Sequence, residues 1–356
     1  MYYAEVAEWQ TRRSQKPVRV TPHVSSTLSL GTCDKIPGMK LKDLYKRAVT
    51  MGIEADPRGK DGVKKFLARR NKEYDELPKI KKAEYDLEDL VNPYTDSRIF
   101  WGDPNMEVDS IMAGIDINAA EVLLADRLNQ KGESIDLLLT HHPEGASLAS
   151  LHEVMDVQAD IWAKYGVPIN IAEGIMHDRI KEVQRKISPI NHAEAIDAAK
   201  LLGFAFMGMH TVTDNLVHAF MEKLFEKEKP ETVGDVLDIL KHEPEYKEAM
   251  KGKAGPMIFA GDAENRAGKV APIEFTGGTE PSHILYEKLA LFGVGTVIGM
   301  HAGEEHRKEA VKHHINLVIA GHMSSDSLGM NLLLDALEKE GIKILPCSGL
   351  IRIRRG

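Results

Sequence analysis

Apolar residues at spacings of three and four open the readable part of the chain. Between Met39 and Val49 they fall at Leu41, Leu44, Tyr45 and Ala48, one face of an amphipathic helix. Residues 1–38 mix Thr, Ser, Gln, Pro and Val with little periodicity, and read as a disordered extension outside the fold. From about residue 107 the pattern turns to strand, helix, strand. Val108 to Ile117 reads as a buried strand, and Ala119 to Lys131 as a helix with Val122, Leu123, Ala125 and Leu128 on its apolar face and Gly132 as its stop. Ile135 to Thr140 is the next strand, so the unit predicts a parallel pair joined by a right-handed crossover. Residues 149–202 read as mostly helical, 203–209 as a strand and 215–227 as a helix. The Lys-, Glu- and Pro-rich stretch 228–256 reads as a surface connection with a helix inside. Apolar runs at 257–260, 269–275, 295–301 and 316–322 mark a second α/β stretch, followed by a helix over 330–339 and strands over 343–346 and 350–354. The division this suggests is a first α/β lobe over 39–230 and a second α/β part over 231–356.

Composition narrows the picture. The 356 residues carry 54 acidic and 46 basic side chains, a net charge of −8, which argues against a general nucleic-acid binder. A hydrophobic share of 43% with 28% charged residues is that of an ordinary globular chain. No apolar run approaches the roughly 18 residues a membrane span needs, and the first residues lack a secretory signal pattern. Cys33 and Cys347 cannot build a disulfide framework, so a reducing, cytoplasmic setting is expected. Locally, residues 60–82 hold nine basic side chains against four acidic ones. That segment reads as a solvated helix face or, less commonly, as a patch for an anionic partner.

The chemistry is in the histidines. Several strand-like runs end in one: Thr140-His141-His142-Pro143, Met209-His210, Met300-His301 and Gly321-His322. Neighbouring side chains on a strand point to opposite faces, so His141 and His142 converge only where the strand ends and bends. Pro143 enforces that end. Asp214 follows His210 by four residues, and Asp326 follows His322 by four. In a helix that spacing places both members of a pair on one side. Each carboxylate also has a plainer reading, as a helix cap or a charge at a positive helix end. Together they form a nitrogen and oxygen donor set without thiolate. It suits Zn, Mn, Fe, Co or Ni rather than a cysteine zinc knot. Two carboxylates able to bridge make a pair of divalent ions plausible, about 3.5–4 Å apart. Phosphate-loop, dinucleotide and nucleophile-elbow motifs are missing. Gly277-Gly278-Thr279 reads as a tight turn, and neither Cys has a nearby His for thiol catalysis.

Thr140-His141-His142-Pro143, His210 to Asn215 and Gly321-His322 to Asp326, in that order, resemble the NIF-three-like (NGG-one interacting factor three-like) dinuclear metal-centre family. Met39-Lys40-Leu41 through Gly59 also looks like its long microbial members, so the resemblance covers roughly residues 39–356. It implies two α/β lobes with mixed sheets flanked by helices and a metal site in the cleft at strand ends. It further implies His141, His142, Asp214, His322 and Asp326 as ligands of two divalent ions, His210 as a further histidine beside them, and a ring-shaped homohexamer. Members are often labelled GTP cyclohydrolase-like. One position departs: the family usually has Glu four residues after the last His, and this chain has Asp326. Asp is one methylene shorter, so either its helix sits closer or the second ion is held less firmly.

The function expected is hydrolysis of a small phosphorylated or nucleotide-like compound, with His210, and also His301 or His306, as candidates for general acid or base. A regulatory or scaffold protein braced by metal without turnover is the alternative. A third reading leaves the histidines as strand-end residues with no metal.

Overall fold

The structure is a computed structural model and describes residues 38–356. The extension expected over residues 1–38 lies outside the described residues, apart from Gly38. The strands are β1 (Met39–Lys40), β2 (Ser97–Trp101), β3 (Glu107–Val108), β4 (Ser110–Gly114), β5 (Leu137–Thr140), β6 (Ala205–Met209), β7 (Met257–Ala260), β8 (Lys269–Glu274), β9 (Val294–Gly299), β10 (Asn316–Ile319) and β11 (Lys343–Cys347). β1 and β3 pair with each other. A five-stranded sheet runs β11-β4-β5-β6-β2, parallel except for β2. A four-stranded sheet runs β7-β10-β9-β8, parallel except for β7. Pro272 falls on β8, an edge strand, where a missing N–H is tolerated.

Alternation along the strands explains the layering. Ile111, Ala113, Leu137, Leu139, Met207 and Met209 face one side of the larger sheet, against Leu41, Leu44, Ala48 and the helix His322–Lys339. Met112, Leu138 and Phe206 face the other, against the helices Ala119–Asn129 and Glu194–Leu202. Both faces are covered, as a largely parallel sheet requires. The smaller sheet is covered likewise. Its Ala271, Ile273, Val297 and Leu317 pack on the helices Asp156–Lys164 and Ile169–Ile187. Its Ile298 and Val318 pack on Val217, Met221 and Leu328.

Two helices belong to both cores. His210–Glu228 sends Val212 to the larger sheet and Val217, Met221 and Phe225 to the smaller. His322–Lys339 sends Met330, Leu333 and Leu334 one way and Leu328 the other. They form a middle layer between the sheets, which is why burial along His322–Lys339 is nearly all-round rather than a stripe.

Several expectations need correction. The helix after β6 starts at His210, not at Asn215. The β-branched run Thr211-Val212-Thr213 disfavours helix locally, but Thr211 Oγ1 donates to Asp96 Oδ2 at 2.6 Å and Thr213 Oγ1 to the Met209 carbonyl at 2.6 Å. The helix expected over 330–339 starts at His322. Residues 228–256 lie largely at the surface, as expected, but hold two helices rather than one, Val233–His242 and Pro244–Lys251, with Val233, Val236, Leu240 and Tyr246 buried. Leu123 is 59% exposed, so the helix Ala119–Asn129 buries a narrower face, Val122 and Ala125. Residues 350–354 form no strand. The basic segment lies on the helices Gly59–Glu76 and Lys79–Ala83, where only Val63 is buried, and most of its cations are solvated.

The two middle helices touch backbone to backbone at Gly329. A Cβ there would lie 2.3 Å from the Thr213 carbonyl oxygen. Gly329→Ala is therefore expected to lower unfolding stability by about 1–3 kcal/mol, as overpacking does, and to spread the residues that follow His210 and His322. Urea denaturation measures this, and a curve identical to that of the parent chain contradicts the packing described.

Candidate metal centre

Three strand ends and two helix starts bring the site together. His141 and His142 follow β5, with backbone N–H groups donating to the Gly114 and Ile115 carbonyls at 3.0 Å each. Pairing with the end of β4 thus continues through the bend, and the rings end 5.0 Å apart. His210 is the first residue of the helix after β6, and Asp214 lies one turn on. His322 opens the helix after β10 and Asp326 again lies one turn on. The reversal before it needs Gly321, whose φ is 114°. β5 and β6 belong to the larger sheet and β10 to the smaller, so the site bridges the carboxyl ends of two sheets.

The residues expected to act together do converge. His141 Nε2 lies 3.5 Å from Asp214 Oδ1 and 3.5 Å from Asp326 Oδ1. His142 Nε2 and His322 Nε2 lie 3.6 and 3.4 Å from Asp326 Oδ2. His210 Nε2 is 3.9 Å from Asp214 Oδ2, and its ring stands 4.9 Å from that of His141. Three groups, His141-His142-His210, His142-His322-Asp326 and His141-Asp214-Asp326, each offer donor atoms within 4.8 Å of one another.

Outer partners decide which nitrogens face inward. Thr213 gives its hydroxyl hydrogen to the Met209 carbonyl, so its oxygen accepts from His141 Nδ1 at 2.9 Å. His142 Nδ1 donates to Asp116 Oδ1 at 2.7 Å, and His210 Nδ1 to Asp96 Oδ2 at 2.8 Å. With each Nδ1 holding the hydrogen, each Nε2 keeps a lone pair pointed at the cluster, as metal-binding histidines do.

His141 Nε2, Asp214 Oδ1 and both oxygens of Asp326 are buried without a hydrogen-bond partner. Unpaired buried acceptors are costly. Donors about 2.1 Å from one tetrahedral ion lie about 3.4 Å apart, close to the spacings found here. Burial pushes the Asp214 carboxyl well up, with Asp96 adding to it, and raises Asp326 to about 8. Burial also drives His141 well below its ordinary value and lowers His322 to about 3, the neighbouring imidazoles assisting. A cation among these groups would favour the ionised carboxylates and the neutral imidazoles alike. The residues present fit a divalent metal, and Asp326 turns one oxygen to each of two donor groups.

Sequence reasoning missed the outer partners. Asp116 lies just past β4, a carboxylate beyond a parallel strand end, and that position is its signal. Asp96 precedes β2 and has none. His301 also reaches the site: its ring is 4.5 Å from that of His322, and its Nδ1 donates to Glu280 Oε1 at 3.0 Å. His306 does not reach it, being held at the Pro281 carbonyl.

No family model matches the chain, and no curated protein matches it. Solved structures do. A NIF3 superfamily protein from Sphaerobacter thermophilus has a TM-score of 0.67 to it, covering 88% of this chain and 100% of that one at 23% identity. Reduced HcgD from Methanocaldococcus jannaschii is similar over 75% of this chain and 95% of its own, with a TM-score of 0.45 and 14% identity. A Bacillus cereus protein related to NIF3 covers 71% of this chain and 91% of its own, with a TM-score of 0.38 and 10% identity. The first of these likenesses, over nearly the whole described chain, is one of architecture: the chain has the NIF3 superfamily fold.

Proposed function

We propose that the protein is a dinuclear metal-dependent hydrolase acting on a small phosphorylated or nucleotide-like substrate. The observation that carries the reading is Asp326, a fully buried carboxylate whose two unpaired oxygens face different imidazoles. One ion would be held by His141, Asp214 and Asp326 Oδ1, the other by His142, His322 and Asp326 Oδ2. The close helix approach at Gly329 is the feature that would accommodate the shorter Asp. Divalent ions bound there supply Lewis acidity and a nucleophile at neutral pH. His210, fixed through Nδ1 by Asp96, presents Nε2 to the cluster and is the residue assigned to orient the substrate and exchange a proton. The scaffold alternative requires a closed site. Here the His142 and His322 side chains are 27% and 38% exposed, which leaves one side of the cluster accessible, as in catalytic centres. The same reading takes the protein as cytoplasmic and as a homo-oligomer, a hexamer by the resemblance above. Among the described residues no helix is long and apolar enough to cross a membrane.

Purified protein is expected to carry close to two equivalents of a divalent transition metal by elemental analysis. Loaded with Mn or Zn, it is expected to hydrolyse members of a nucleotide and phosphoester panel. His142→Ala should lose at least about a hundredfold in rate, the scale on which catalytic groups act. Undiminished hydrolysis by that variant excludes the mechanism.

Asp326 also sets a pH dependence. Its carboxyl titrates near 3.8 in an unfolded chain and near 8 in the fold, so the folded state holds the extra proton between those values. In chelated protein the stability that protonated Asp326 contributes is therefore expected to be lost as pH rises from about 4 to about 8, while His141 and His322, held neutral by burial, contribute the opposite slope below about 6.5. Asp326→Asn should remove that one contribution, making the loss of stability toward pH 8 smaller than in the parent chain by on the order of 1–3 kcal/mol while lowering metal content; Asp214 and Glu274, raised by the same burial, keep the remainder. Thermal unfolding across that range measures both, and a parallel slope in the variant contradicts the assignment.

A further inference from the structure

Beside Asp214 lies a small cavity of about 30 Å³, lined by Gln158, Asp214, Glu274, Thr276, Glu280 and His301 among others. One water needs about 10–15 Å³, so the space holds about two non-hydrogen atoms. Its polar walls are built of acceptors. Gln158 Nε2 donates to the Gly277 and Thr279 carbonyls at 2.7 and 2.6 Å, which fixes the amide and leaves Oε1 over. Gln158 Oε1 is buried with no partner. Glu274 Oε1 accepts the Tyr286 hydroxyl at 2.9 Å, while Glu274 Oε2 is buried with no partner. Gln158 and Glu274 are 3% and 8% exposed. Space for the Glu274 carboxylate exists because residue 299 is glycine: a Cβ there would lie 2.8 Å from Oε2. Gly277 and Gly278, at φ 94° and 85°, form the turn that Gln158 ties down.

Among the described residues no Lys or Arg lines the cavity, and the one basic lining residue, His301, is engaged by Glu280. Metal in the neighbouring cluster would satisfy Asp214 but not Gln158 Oε1 or Glu274 Oε2. A water could bridge two acceptors, yet it brings no charge to a buried carboxylate, and a buried charge is stable only when paired. Burial, with the neighbouring Glu280 adding to it, raises the Glu274 carboxyl to about 8.

We propose that this cavity is a substrate subsite for a protonated primary amine, with Glu274 Oε2 and Gln158 Oε1 as its acceptors. The proposal rests on the hydrolase reading and narrows its substrate class to amine-bearing compounds. The amine anchors in the cavity, and the bond to be cleaved lies over the His–Asp cluster that shares Asp214 with it.

The test uses full-length, metal-loaded protein and methylammonium, which matches the cavity in size. Calorimetry at fixed ionic strength should give a dissociation constant of order 10 mM, the scale available to two non-hydrogen atoms. Tetramethylammonium, which has no N–H, should not bind. Glu274→Gln keeps the shape and should weaken methylammonium about tenfold or more, as loss of a charge-assisted bond does, with metal content and cooperative unfolding retained. Soaked crystals should place the nitrogen within hydrogen-bond distance of Glu274 Oε2. Equal binding of both cations, equal binding by parent and Glu274→Gln, or water alone in soaked crystals overturns the proposal. Because the readout is binding, a methylammonium signal that depends on Glu274 supports the subsite even if the hydrolysis panel is blank. The two readings therefore fail separately.

Discussion

Two carboxylates, Asp214 and Asp326, are buried within reach of the same imidazole, His141 Nε2, and among the described residues no Lys or Arg pairs with either. Ionised together without a counter-charge they would cost several kcal/mol. The surrounding architecture makes sense as the means of holding that arrangement. The middle helices start at the cluster, each presenting a His at its first residue and an Asp one turn later. Gly329 lets them touch. Asp96, Asp116 and Thr213 each take the hydrogen of one Nδ1, so that lone pairs rather than N–H groups meet the carboxylates. A fold that merely needed a stable centre would fill this space with apolar side chains, as it does a few residues away at Val212, Val217, Leu328 and Met330.

Much of this was readable in the residues, for physical reasons. The His141-His142-Pro143 junction stood out because adjacent side chains can converge only where a strand ends. The strands showed themselves as continuous apolar runs because helices cover both faces of each sheet. The limits were physical too. The helices start earlier than local propensity suggests, at His210 and His322, because the β-branched and small polar residues there have weak helix propensity and tertiary hydrogen bonds override it. Periodicity places Leu123 inward, but it cannot tell which of two adjacent apolar residues a narrow contact buries. The segment 228–256 looked solvated from its composition, while its few apolar residues, Val233, Val236, Leu240 and Tyr246, complete a core. Asp96 carried no local signal, since its meaning comes entirely from a histidine 114 positions along the chain.

The place of the site follows from the strand order. Carboxyl ends of parallel strands leave backbone unpaired and side chains free to turn inward. Here that happens twice, at β5 and β6 of one sheet and at β10 of the other. Asp326 lies three residues before Gly329, where the two middle helices touch, and donors from both sheets stand within reach of one another. Glu274, at the end of β8, and His301, just past β9, extend the same polar rim, so the cluster and the neighbouring cavity form one continuous chemical surface.

The strand order also has a consequence for biosynthesis. β11 adds to the larger sheet beside β4, whose next loop carries Asp116, although every residue of the smaller sheet lies between them in the chain. While the polypeptide is still emerging from a ribosome, β4 has an open edge until residue 347 is clear of the exit tunnel. Assembly of the larger sheet is thus necessarily late and non-local. Throughout that interval the nascent chain depends on its other contacts, or on a chaperone, to keep the exposed strand from pairing with a neighbour.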